Sequence, residues 1–154
     1  MPGGADVQFR ALQSAVHDRP KSILVAVDVT NAFGTVSRQA VLAALGAVLP
    51  EYGSLLACLY AKPAVGLWRD GEGDLHELRT GAGVPQGCPL SPAAYAAALH
   101  QTTLQHFTGS QRWLATAYLD DVVAVVPAAE AEQFLQDLSR RMNAWGLALN
   151  ATKT

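Results

Sequence analysis

The stretch Trp113-Leu-Ala-Thr-Ala-Tyr-Leu-Asp-Asp-Val-Val-Ala-Val-Val126 decides how this chain folds. Trp113 to Leu119 and Val122 to Val126 are two strand-like runs separated only by Asp120-Asp121, so together they predict a β-hairpin with two carboxylates at its tip. Downstream, Ala128 to Trp145 has the spacing of an amphipathic helix, and Gly146 to Asn150 begins a last strand. Upstream, Ser91 to Phe107 is Ala-rich and predicts a helix, with Pro92 tolerated in its first turn. Before it lies Gly81-Ala-Gly-Val-Pro-Gln-Gly-Cys-Pro89, a loop dense in turn formers, and before that a hairpin of Ala64 to Arg69 and Leu75 to Thr80 around Asp70-Gly-Glu-Gly-Asp74.

The earlier part of the chain completes the pattern. Ser22 to Val29 is short, β-branched and nearly all apolar, which predicts a strand buried on both faces, with Asp28 its polar exception. Ser37 is an N-cap for a helix through Val48, Pro50 breaks that helix, and a second spans Tyr52 to Ala61, both mostly core-facing. Residues 5 to 18 form an amphipathic helix ending near Arg19-Pro20. From Ser22 onward the order is that of an α+β fold: a split β-α-β-β-α-β antiparallel sheet with helices on one face, plus the inserted hairpin.

In that arrangement the first and second strands are parallel and the third, antiparallel, lies between them. The end of strand one and the hairpin tip then share an edge, so Asp28 meets Asp120-Asp121. Carboxylates crowded in this way repel one another unless a cation neutralises them, and hard oxygen donors suit Mg²⁺. Two such ions about 3.5 to 4 Å apart activate an attacking hydroxyl and stabilise a leaving pyrophosphate, the chemistry of nucleotidyl transfer.

Composition narrows the class. At 154 residues and half apolar, the chain is expected to be one domain. Thirteen acidic against eleven basic residues give a charge of −2, which argues against a stand-alone nucleic-acid binder. Cys58 and Cys88 form no Cys-x-x-Cys pair, so no disulfide framework or zinc site is expected. The four histidines lack metal-ligand spacing, and Trp68, Trp113 and Trp145 read as core. No run is long and apolar enough for a membrane span, and no secretion signal is evident, so an intracellular place, cytoplasmic or nuclear, is expected.

Three segments, Val27-Asp-Val-Thr-Asn-Ala-Phe-Gly-Thr-Val36, Gly83-Val-Pro-Gln-Gly-Cys-Pro-Leu-Ser-Pro92 and Ala117-Tyr-Leu-Asp-Asp-Val122, together resemble reverse transcriptases, most closely those of non-long-terminal-repeat retrotransposons. A fourth, Trp145-Gly-Leu-Ala-Leu-Asn-Ala-Thr-Lys-Thr154, resembles the segment that follows the palm's second helix in the same family. The resemblance implies a polymerase palm that uses two Mg²⁺ ions, or Mn²⁺, to add deoxynucleoside triphosphates to a primer on an RNA or DNA template. It implies that Asp28 and Asp120 ligate both metals, that the Val29 carbonyl helps hold one, and that Asp121 supports the site. By the same resemblance Phe33 is the steric gate against a 2′-hydroxyl, Gln86 and Gly87 line the incoming nucleotide, Tyr118 packs near the primer end, and Lys153 is a candidate general acid for the pyrophosphate.

The sequence departs from the family in two places. Gly34 follows Phe33 where the family usually has Asp, which is expected to loosen that loop. The family's basic fingers and its thumb have little counterpart here, so residues 1–154 are expected to be a single palm domain with fingers and thumb largely missing, a fragment or a decayed copy. Two functions follow: a polymerase palm, or a catalytically silent retroelement remnant serving at most as a binding or interaction module. A third, a palm-type nucleotide cyclase, does not explain the Pro-Gln-Gly loop or the Tyr-Leu-Asp-Asp turn.

Overall fold

The computed structural model describes residues 4–107 and 112–153; Thr154, which ends the fourth matching segment, lies outside the described residues. In chain order the elements are α1 (Gly4–Asp18), β1 (Ser22–Val27), α2 (Ala32–Thr35), α3 (Arg38–Val48), α4 (Gly53–Tyr60), β2 (Ala64–Arg69), β3 (Leu75–Thr80), α5 (Ser91–Thr102), β4 (Leu114–Tyr118), β5 (Asp121–Pro127) and α6 (Ala131–Asn143). Local chemistry sets several of these boundaries. Ser37 caps α3 by accepting a hydrogen bond from the Ala40 N–H at 3.4 Å, and Pro50 ends the helix by opening a 3₁₀ turn, Pro50–Tyr52, before α4. The helix expected through Phe107 stops at Thr102 and continues only as a 3₁₀ turn, Leu104–His106.

The main sheet has the order β1-β5-β4, with both pairings antiparallel. β1 and β4 therefore run parallel with β5 between them, as the sequence predicts. Register runs from Ser22 opposite Pro127 to Val27 opposite Val122, and from Leu114 opposite Val125 to Tyr118 opposite Asp121. The last strand shrinks to one antiparallel bridge, Val29 with Leu149. β2 and β3 form a separate two-stranded ribbon.

One sheet face carries Val27, Ala115, Val122, Ala124 and Val126 into the main core, against Val41 and Leu45 of α3, Tyr95 and Leu99 of α5, and Phe134, Leu138 and Met142 of α6. Large side chains buried this way contribute roughly 1.5–3 kcal/mol each, so the three from α6 fix that helix to the sheet. The alternate residues, among them Ala26, Val123, Val125 and Thr116, point to the other face. α1, which precedes the split unit, packs against β4, β5 and β1, and Leu12 and Val125 are buried apart from the main core, which places this helix across that second face.

Three expectations need correction. β1 is not buried on both faces: it lies outside β5, and Ile23 and Leu24 are 42% and 51% exposed. An apolar run predicts a strand, but it carries no information about what covers each side. α4 buries only Leu56 and Tyr60 and leaves Leu55 and Leu59 at the surface. Trp68 is exposed rather than core, stacked on His76 in the ribbon with ring centroids 4.7 Å apart. No helix among the described residues is long and apolar enough to cross a membrane.

Candidate active site

The register assembles the acidic residues. Val27 pairs with Val122, so Asp28, one residue beyond β1, comes opposite Asp121, the first residue of β5. Asp121 also pairs with Tyr118, which leaves Leu119 and Asp120 as a two-residue turn at the tip. Leu119 has φ 57°, a left-handed conformation that a large side chain rarely adopts and that costs on the order of 1–3 kcal/mol. Asp28, Asp121 and Tyr118 thus share one sheet face, with Asp120 beside them on the turn.

The carboxylates do not form a closed cage. Among the described residues no three His, Cys, Asp or Glu side chains are gathered as a metal-holding group. Asp28 is engaged from the other side: its Oδ2 accepts a hydrogen bond from Asn150 Nδ2 at 2.9 Å and lies 3.7 Å from Lys153 Nζ. Lys153 thus places a cation beside this carboxylate. Lys153, matched to a general acid, therefore sits at Asp28, with its side chain largely in solvent.

The bridge that brings Asn150 and Lys153 there is made by neighbours of Val29. Thr30 N–H donates to Ala148 O at 2.8 Å and Asn150 N–H donates to Asp28 O at 2.9 Å. Val29's own carbonyl takes no part in those two bonds, although Val29 itself is buried.

Phe33, in α2, is half-buried and stacks on Tyr95 of α5, with ring centroids 4.9 Å apart and planes inclined by 24°. The turn that carries it is bonded directly to the loop before α5. Gly83 N–H donates to Val36 O and Val84 N–H to Phe33 O, both at 2.8 Å. The backbones meet so closely that a Cβ on Gly83 would lie 2.5 Å from the Gly34 carbonyl oxygen. The buried Arg38 reinforces the junction: its guanidinium donates to Gly83 O at 2.9 Å, Lys62 O at 2.6 Å and Thr80 Oγ1 at 3.5 Å. Gln86 and Gly87 are exposed in the loop beyond, which Ser91 Oγ ties to α5 by donating to Pro85 O at 2.6 Å.

Residues 4–154 match the family described as reverse transcriptase (RNA-dependent DNA polymerase). The chain belongs to that family. It is 30% identical over 140 residues to the retrotransposable element SLACS 132 kDa protein of Trypanosoma brucei gambiense, a match that covers 87% of this chain and 12% of the relative. The chain therefore spans about an eighth of that protein's length. In fold it resembles telomerase from Candida albicans in complex with a fragment of telomeric RNA, with a TM-score of 0.71 at 16% identity over 97% of this chain and 30% of that one. Apo telomerase from Candida tropicalis gives 0.65 at 13% identity, over 96% and 30% of the two chains.

Against that family background, three side chains at the site escaped the sequence. Asn150 lies inside the fourth matching segment, yet only the bridge with Val29 shows that it meets Asp28. Tyr95 and Arg38 read as ordinary helix residues, and nothing local marks their long-range contacts.

Proposed function

We propose that this chain is the palm of an RNA-directed DNA polymerase that joins deoxynucleotides to a primer 3′-hydroxyl by two-metal nucleotidyl transfer. The observation that carries this reading is the register that sets Asp28 opposite Asp121 and beside the Asp120 turn, in a chain of the reverse transcriptase family. Asp28, Asp120 and the Val29 carbonyl would hold two Mg²⁺ or Mn²⁺ ions, with Asp121 in support, since all are hard oxygen donors. Bound there, the ions supply hydroxyl activation and charge neutralisation at the pyrophosphate.

The remaining roles belong to the chain itself. The Phe33 ring, braced by Tyr95, closes the space that a 2′-hydroxyl would need, while Gln86 and Gly87 line the incoming nucleotide. Tyr118, exposed on the face that bears Asp121, contacts the primer end. Lys153 has a long exposed stem, so its ammonium can leave Asp28 and give a proton to the departing pyrophosphate. Template, primer and triphosphates are the partners, with fingers and thumb regions gripping the duplex.

The test is primer extension on an RNA template by a polymerase in which fingers and thumb complete this palm. Asp28→Asn or Asp120→Asn lowers extension by about a hundredfold or more, and Asp121→Asn lowers it less. Near-normal extension by Asp120→Asn shows the assignment to be wrong. The second reading, a silent remnant acting as an interaction module, draws on the engagement of Asp28 by Asn150 and Lys153 and on the exposed apolar ribbon. It predicts no Asp-dependent extension at all in the completed enzyme.

A further inference from the structure

A cavity of about 370 Å³ lies between the β2–β3 ribbon and the loop before α5. Its lining includes Gly34 from the turn after β1, Arg38, Gly66 and Thr80 from the ribbon, and Gly83 and Gln86 from the loop. No acidic side chain is among the lining residues, and the one charge there is the Arg38 guanidinium. Gly66 pairs with Leu78 and Ala64 with Thr80, and all four line the cavity from one face of the ribbon. The missing side chain at position 66 leaves that face open.

Arg38 is only 8% exposed, yet the acceptors it meets are all neutral: Gly83 O at 2.9 Å, Lys62 O at 2.6 Å and Thr80 Oγ1 at 3.5 Å. Among the described residues it forms no ion pair. Buried charges are usually paired, and neutral dipoles compensate one incompletely. A guanidinium has five N–H groups, so two remain beyond these three bonds. Because Thr80 and Gly83 both line the cavity and both accept from Arg38, the guanidinium stands at its wall. The Thr80 hydroxyl accepts from Arg38 and keeps its own proton to donate, and the exposed Gln86 brings an amide with two more N–H groups. A cationic fork beside a hydroxyl and an amide is a donor set suited to a tetrahedral oxyanion.

We propose that this cavity is a phosphate site, in which Arg38, Thr80 and Gln86 hold a phosphate group of the template strand or of the incoming triphosphate. The proposal rests on the polymerase reading above for the source of the phosphate, and it uses none of the acidic residues. Arg38 then joins two tasks in one side chain, fixing the loop of Gln86 and supplying the positive charge that a phosphate needs.

Arg38 also holds the fold, so the test blocks the cavity at Gly66 instead. The amides of Gly66, Thr80 and Gly83 and the Arg38 Nε–H are followed by ¹⁵N NMR in the purified chain, in EDTA and at constant ionic strength. Inorganic phosphate, an oligoadenylate without terminal phosphate, and deoxyadenosine triphosphate are titrated separately. Saturable shifts at these groups are expected with inorganic phosphate and with at least one of the other two, which identifies the source. Gly66→Leu should weaken this binding by about tenfold or more. The variant should unfold at no lower temperature than the wild type, since a Cβ at Gly66 meets only the Leu78 carbonyl oxygen, at 3.8 Å. Asp120→Asn should bind as the wild type does. Absent shifts, or equal affinity in Gly66→Leu, overturn the site, and shifts with inorganic phosphate alone overturn the source assigned to it. If the nucleotide-borne phosphate binds here but the completed polymerase shows no Asp120-dependent extension, the polymerase reading fails by itself and the phosphate site stands.

Discussion

Gly83 has no space for a methyl group, because the backbone of residues 33 and 34 occupies the position a Cβ would take, and its φ of 76° disfavours any other residue. Gly83→Ala should therefore destabilise the chain by more than about 2 kcal/mol, which urea unfolding would register as a lower midpoint. An unchanged midpoint would mean that the loop before α5 is not pinned to the turn after β1. The acidic residues were legible in the sequence because each breaks an apolar run, Asp28 at the end of one strand and Asp120-Asp121 between two. Tyr95 and Asn150 were not, because their types suit a helix core and a polar turn equally well. Their roles depend on Phe33 and Asp28, which lie far away along the chain. The strain at Leu119 was also hidden: the sequence places a turn there, but not which residue takes the left-handed conformation.

Between elements, Arg38 acts as a rivet. It is buried at the start of α3 and holds backbone carbonyls on both sides of the β2–β3 ribbon, Lys62 before it and Gly83 after it. Arg38→Met keeps much of the apolar stem but leaves both carbonyls without this donor. It should cost about 2–3 kcal/mol and speed amide exchange across residues 64–80 more than in β5; uniform exchange would show that the ribbon is held by something else. Elements with strong local signals match the sequence closely: the ribbon spans the predicted residues, and Ser37 caps the helix it was expected to cap. The errors fall where packing decides, as in the exposed side chains of β1 and α4. Periodicity tells which residues share a face; what that face meets is set by contacts from elsewhere in the chain.

For the molecule as a whole, charge and shape act together. A net charge of −2 supplies few phosphate contacts, and the sheet face that bears Asp28 and Asp121 is crossed by α1, whose first residue, Gly4, lies close to the Tyr118 ring. The chain alone should bind primer-template weakly, lose most of that binding between low and physiological salt, and extend a primer little or not at all. A binding titration and an extension assay with Mg²⁺ would check this, and tight binding that persists in salt would show that α1 or the ribbon grips nucleic acid directly. The pairing of β1 with β5 also has a bearing on how the molecule is made. Ser22 waits for Pro127 and Val27 for Val122, so about a hundred residues must leave the ribosome before the first strand finds its partner, and Asn150 must follow before Asp28 is engaged. Until then β1 is an apolar strand with two open edges. During synthesis α1 is the one element already made that can cover it, and among residues 4–153 the acidic site is one of the last parts to form.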